Sequence, residues 1–293
     1  MTKVAIYGEI LDKKHHDAIR GFFNQMQNFE IDCIIFEKYK EIIKSVVELK
    51  PEIKTFSNKT EFLAQNVDYL ISIGGDGTML NSFRFIFKSE IPVFGINTGR
   101  LGFLSNISTD RVNWALKELM AGRYMIRIRS VLEIIYDGQE REVYAVNEAA
   151  IHKQDTSSML TIHTKLNNFD LNSYWADGVL ISTPTGSTAY SLSCGGPIVM
   201  PGSDNFLITP IAPHNLAVRP LVYRDDKILE LEVESRSDKF LLAYDSNSIT
   251  LSANKRITVK KAPFYINLLK FEDYNYLNML RNKLMWGADK RNW

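Results

Sequence analysis

The chain predicts an α/β N-terminal domain with a parallel sheet, followed by a C-terminal domain rich in β structure. In the opening part, short apolar runs alternate with helix-period segments, the pattern of strands joined by crossover helices. After Gly122 the texture changes to longer runs of β-branched and aromatic residues broken by short polar turns. The length of 293 residues leaves room for two average domains.

Each element follows in order. Val4 to Tyr7 reads as a strand, His15 to Met26 as a helix, Ile31 to Phe36 as a strand and Tyr39 to Leu49 as a helix. The apolar run Val67 to Ile73 predicts a strand, Thr78 to Phe87 a helix, Pro92 to Ile96 a strand and Asp110 to Met120 a helix that ends at Gly122. Beyond it, Tyr124 to Tyr136, Glu142 to His152, Met159 to Lys165, Ile228 to Glu234, Phe240 to Leu251, Arg256 to Lys260 and Phe264 to Leu268 read as strands. Polar turns such as Asp137-Gly138 and Asp245-Ser246-Asn247 punctuate them. Asn275 to Met285 returns to helical spacing, and its aromatic flank reads as a docking helix. The expected division is 1–122, with 271–293 returning to it, and 123–270.

Composition narrows the function classes. With 45% hydrophobic and 24% charged residues the chain is globular, and 35 basic against 34 acidic residues leave no overall field to hold a polyanion or an anionic membrane. We therefore expect neither nucleic-acid nor membrane binding. Cys33 and Cys194 cannot build a disulfide framework and lack zinc-ligand spacing, which fits a reducing, cytoplasmic setting; no signal-peptide pattern opens the chain and no apolar stretch is long enough to span a bilayer. His15, His16, His152, His163 and His214 form no catalytic or metal-binding pattern and read as structural or surface residues.

Four segments could carry chemistry. Gly74-Gly75-Asp76-Gly77-Thr78 lies at the carboxyl end of a buried strand and just before a helix, where open α/β sheets bind ligands. Glycine amides and a helix N-terminus suit phosphate; the other reading is a tight turn in which Asp76 or Thr78 caps the helix. Neither a phosphate loop ending in Lys-Ser/Thr nor a dinucleotide fingerprint is present, since the first strand offers only Tyr7-Gly8-Glu9. Asn97-Thr98-Gly99-Arg100-Leu101-Gly102-Phe103-Leu104 follows a strand of the same sheet and presents Phe103 either to a flat ring or to the core. Asn147-Glu148 interrupts an apolar strand and needs partners if buried. The run from Asp177-Gly178 through Ser182-Thr183-Pro184-Thr185-Gly186-Ser187-Thr188-Ala189-Tyr190 offers hydroxyls either to ribose and phosphate or to its own backbone.

Together and in this order, the four segments resemble the NAD kinase family, most densely over residues 70 to 215. Ile211-Ala212-Pro213-His214 and Leu280-Arg281-Asn282-Lys283-Leu284-Met285-Trp286-Gly287 are similar to it as well. The Gly74 to Thr78 motif alone is shared with lipid and sugar kinases of the same superfamily. The resemblance implies the two-domain NAD kinase-like architecture and transfer of the γ-phosphoryl group of ATP to the 2′-hydroxyl of the adenosine ribose of NAD. It implies Asp76 as general base, Gly74, Gly75, Gly77 and Thr78 at the phosphates, and Phe103 against adenine. NAD binding falls to Asp76, Gly77, Phe103, Asn147, Glu148, Asp177, Asn247 and the run Thr188, Ala189, Tyr190, Ser191, Leu192, Ser193. It also implies Mg²⁺ carried with ATP and a homo-oligomer, dimer or tetramer. Trp175-Ala176, Asn247 and Met79 depart from residues common in the family. The competing readings are a lipid or sugar kinase and a non-catalytic nucleotide sensor.

Overall fold

The structure, a computed structural model, describes residues 1–50, 52–99, 101–154, 159–272 and 274–286; Arg100 of the second motif and Gly287 of the C-terminal run lie outside them. The chain forms two compact units: one from Met1–Ile86, Glu90–Arg127 and the residues from Asn267 onward, the other from Phe87–Ser89 and Ile128–Ile266.

The first unit contains, in chain order, β1 (Lys3–Gly8), α1 (His16–Asn28), β2 (Asp32–Phe36), α2 (Glu37–Ile43), β3 (Lys54–Phe56), α3 (Lys59–Leu63), β4 (Tyr69–Ile73), α4 (Asp76–Ile86), β5 (Val93–Asn97), β6 (Ile107–Ser108) and α5 (Val112–Met120). Its strands pair in the order β5-β4-β1-β2-β3, all parallel. Parallel strands covered by helices are apolar throughout, and β1, β4 and β5 are buried nearly end to end. In α1, Ile19, Phe22, Phe23 and Met26 recur at the spacing of one helix face and are all buried. Phe36, Phe56, Phe62 and Phe85 form an aromatic cluster with centroids 5.1–5.9 Å apart, each ring worth about 1.5–3 kcal/mol of burial.

Three local readings change here. The helix expected over Tyr39 to Leu49 ends at Ile43; the amides of both Val46 and Val47 turn back to the Ile43 carbonyl, and these β-branched residues bury their side chains from a turn instead. β3 and α3 are too short to show periodicity and were not expected. Asp76 opens α4 two residues ahead of the expected start.

The second unit holds β7 (Tyr124–Tyr136), β8 (Val143–Ala145), β9 (Glu148–Lys153), β10 (Leu160–Leu166), β11 (Phe169–Ala176), β12 (Gly178–Ser182), the short helix α6 (Tyr190–Ser193), β13 (Asn205–Ile211), β14 (Leu221–Arg224), β15 (Leu229–Glu234), β16 (Lys239–Tyr244) and β17 (Asn247–Ser252). The last strand, β18 (Arg256–Phe271), belongs to this unit up to Ile266, where Val259 pairs with Leu229, and to the first unit from Asn267 onward, where Leu268 pairs with Val93; α7 (Tyr276–Leu284), in the first unit, follows. One antiparallel sheet runs β14-β13-β12-β9-β16-β17; β11-β10-β15-β18 pair antiparallel in another. Alternating residues of both sheets, among them Ile151, Ile181, Phe206, Leu231 and Phe240, share one core. The single strand expected over Glu142 to His152 is two strands, broken at Val146-Asn147. Arg256 to Lys260 and Phe264 to Leu268 are one continuous strand rather than two.

Candidate active site

In the first unit the parallel sheet reverses its winding between β1 and β4, because the chain builds β2 and β3 on one side of β1 before crossing to β4 on the other. Gly74-Gly75 leaves the carboxyl end of β4 at that point, and Asp76 stands in the first turn of α4. The Asp76 carboxylate does not cap the helix. Oδ2 accepts the Phe103 amide at 2.7 Å, while Oδ1 accepts those of Leu104 at 3.1 Å and Ser105 at 2.8 Å. Gly102 makes this possible: a Cβ there would sit 1.8 Å from Asp76 Oδ1. The loop is closed further by Asn97, which donates to the Ser105 carbonyl at 3.0 Å, and by Ser105 Oγ, which donates to the Gly74 carbonyl at 3.0 Å. Gly75, Asp76, Gly77 and Thr78 reach the surface to differing extents, and nothing lies within 4 Å of where side chains on Gly75 and Gly77 would start. Phe103 is half-buried, its ring centroid 6.3 Å from that of Tyr276.

Two neighbours of this loop escaped the sequence reading. Glu9, just beyond β1 at the same sheet edge, accepts from the Tyr7 hydroxyl at 2.7 Å and from Asn81 of α4 at 2.9 Å. Lys270, 2% exposed near the end of β18, donates to the Leu104 carbonyl and to Asn106 Oδ1, both at 2.8 Å. A lone lysine in the apolar run Leu268-Leu269-Lys270-Phe271 was the available signal.

The second unit repeats the device. Asp245, in the turn between β16 and β17, accepts the amides of Val146 at 2.8 Å, Asn147 at 2.8 Å and Glu148 at 3.3 Å. Those bonds draw the amides away from a sheet ladder and explain the break between β8 and β9. Burial raises the Asp245 carboxyl to about 6 against the opposing pull of the three amides. From the other side, Thr183 donates its hydroxyl to the Val146 carbonyl at 2.5 Å and its amide to the Asn147 carbonyl at 3.0 Å. Gly186 fits because a Cβ there would lie 2.1 Å from the Asn147 carbonyl oxygen. Glu148 Oε2 is buried with no hydrogen-bond partner, and burial, then the charge of Asp245, raises its carboxyl to about 8.

The remaining expected site residues of this unit spread over several elements. Asp177, between β11 and β12, pairs with Lys153 at 2.6 Å. Thr188, Ala189 and Tyr190 lead into α6, with Tyr190 stacked on His152 at 5.6 Å. Ser191 is buried with its hydroxyl engaged by Thr209 at 2.9 Å, Leu192 is half-buried and Ser193 exposed. Asn247 is exposed at the start of β17, in the turn that Asp245 anchors. Both cysteines are free; burial pushes the Cys33 thiol to about 12 and also raises that of Cys194.

The ATP-NAD kinase N-terminal domain family matches residues 37–124, and the ATP-NAD kinase C-terminal domain family matches residues 146–271. The NAD kinase of Cytophaga hutchinsonii is 43% identical over 291 residues, covering 98% of this chain and 99% of its own. The chain belongs to the NAD kinase family. Solved structures share the fold of this NAD kinase family member. Yeast NADH kinase complexed with NADH superimposes with a TM-score of 0.88 at 22% identity, over 99% of this chain and 89% of that chain. An NAD kinase from Archaeoglobus fulgidus in complex with ATP gives 0.73 at 23% identity, over 97% and 99%.

In this NAD kinase family member Glu148 makes stability depend on pH with a definite sign. Its folded pKa of about 8 lies above the ordinary carboxylate value, so the folded chain holds a proton that the unfolded chain releases between about pH 4.5 and 8. Stability relative to a Glu148→Gln variant is therefore expected to fall as pH rises through that window, by at most about 1.4 kcal/mol per pH unit. Urea unfolding of both proteins at several pH values measures it; parallel stability curves would contradict the assignment.

Proposed function

We propose that the chain transfers the γ-phosphoryl group of ATP to the 2′-hydroxyl of the adenosine ribose of NAD, giving NADP and ADP. The observation that carries the reading is the match of both kinase domain families, in order, along one chain. The placement of Asp76 supplies the chemistry. Its three amide bonds leave Oδ2 with one partner, and so with a lone pair able to accept the proton of a ribose hydroxyl. As that proton leaves, the hydroxyl oxygen bonds to the γ-phosphorus, the bond from phosphorus to the β,γ-bridging oxygen breaks, and ADP departs with the electron pair.

The turn at Gly75 and Gly77, with the Thr78 hydroxyl, is open to phosphate oxygens, whereas the amide of the buried Gly74, expected at the phosphates too, is spent on the Ile96 carbonyl at 2.9 Å. Asn147 and Glu148 hold the ribose, Phe103 meets adenine, Asp177 faces the nicotinamide side, and Asn247 with the run from Thr188 to Ser193 completes NAD recognition. Burial, then the charge of Asp245, raises the Glu148 carboxyl to about 8, which favours its neutral form at neutral pH. The described residues contain no cluster of three His, Cys, Asp or Glu side chains suited to a metal ion. Mg²⁺ carried with ATP would offset the charge that builds up on the phosphates during transfer. We place the chain in the cytoplasm as a homo-oligomer, dimer or tetramer; no helix among the described residues is long and apolar enough to cross a membrane.

Purified protein given NAD, ATP and Mg²⁺ should form NADP, read by an NADP-specific dehydrogenase. NAD binding without turnover would point to a sensor, and absence of NAD binding to a lipid or sugar kinase.

A further inference from the structure

Lys270 is the charged side chain that holds the Asp76 loop from behind. Its ammonium is almost wholly withdrawn from water, and two of its bonds go to the loop that holds Asp76, to the Leu104 carbonyl and to Asn106 Oδ1. The bonds show what the charge does. The Leu104 carbonyl that accepts from Lys270 and the Ser105 amide that donates to Asp76 Oδ1 belong to one and the same peptide unit. Cation, peptide dipole and carboxylate therefore stand in series, each bond polarising the next. Asn106, the residue after Ser105, is a second acceptor of the ammonium, so Lys270 ties that peptide to the residue that follows it. Tyr274 flanks the ammonium with its ring centroid 4.9 Å away.

We propose that Lys270 is a positioning residue for phosphoryl transfer: it fixes the orientation and supports the negative charge of Asp76 through the Leu104–Ser105 peptide. It does not touch substrate, and the proposal rests on the reading of Asp76 as the proton acceptor. Its removal should therefore lower kcat while the KM for ATP stays near its original value.

The test compares Lys270→Met, Lys270→Gln and Lys270→Arg with the unsubstituted chain in NADP formation, with circular dichroism as the check on folding. Met keeps the length without charge, Gln keeps a neutral donor, and Arg keeps the charge. The expected result is a kcat lowered about 10–100-fold in the Met and Gln variants, with a KM for ATP changed by less than about threefold. Arg should recover most of the loss. In an Asp76→Asn background, Lys270→Gln should lower the residual kcat no further, because the two side chains act as one unit. A folded Gln variant with undiminished kcat overturns the proposal. So does a loss that persists in full beside Asp76→Asn, since that marks a purely structural role. If the Met variant does not fold, the Gln and Arg pair decides. An unsubstituted chain that forms no NADP removes the functional reading itself, and the proposal with it.

Discussion

Asp76→Asn is expected to lower kcat for NADP formation about 10²–10⁴-fold, the usual worth of a positioned general base. The substitution is nearly isosteric but changes two things at once. The side chain can no longer take up the ribose proton, and one of its ends becomes an NH₂ group facing backbone N–H donors. The loop at Phe103, Leu104 and Ser105 loses charge-assisted bonds worth about 1.5–3 kcal/mol each in their intact form. A lower thermal midpoint should accompany the kinetic loss. Most of the NAD affinity should remain, because the Asp245 clasp and the run from Thr188 to Ser193 are untouched. Initial rates and titration calorimetry with NAD separate the two effects; a variant within threefold of the original kcat would dismiss Asp76 as the base.

Asp245→Asn should act on binding and stability where Asp76→Asn acts on turnover. The carboxylate accepts from three consecutive amides at the break between β8 and β9, and an amide in its place leaves at least one donor facing another. A loss of about 3 kcal/mol or more is expected, from weaker bonds and a buried unpaired N–H. Asn147 and Glu148 then lose their fixed geometry, and NAD should bind at least about tenfold more weakly. Chemical denaturation and calorimetry test both parts. Unchanged stability would mean that the amides find other partners, and unchanged affinity that Asn147 and Glu148 do not hold NAD.

The fold class was legible because its signals are local. Val4 to Tyr7 is apolar throughout and is a buried strand, the run expected as a strand from Val67 to Ile73 is one from Tyr69 onward, and Ile19, Phe22, Phe23 and Met26 mark one helix face within a dozen residues. The turn at Gly74 to Thr78 was legible as a strand-to-helix junction for the same reason. What could not be read was where side chains go over long separations. Asp76 reaches 27 to 29 residues ahead, Asp245 reaches 97 to 99 residues back, and Lys270 bonds a loop 166 residues earlier. Nothing in Asp245-Ser246-Asn247 distinguishes it from any hairpin turn, and the strand break at Val146 cannot be seen without it. Lys270 was hidden because a single lysine in an apolar strand reads as an edge or an end.

The two aspartate clasps grip main-chain amides, and amides are the same in every residue but proline. The identities of residues 103–105 and 146–148 are therefore invisible to the clasps, whereas the two acids and the glycine that lets Asp76 approach admit almost no exchange. Leu104, Ser105 and Val146 are held by burial instead, which leaves Phe103, Asn147 and Glu148 as the loop positions where a side chain can change, and with it the preference for one nucleotide over another, without the clasps being rebuilt.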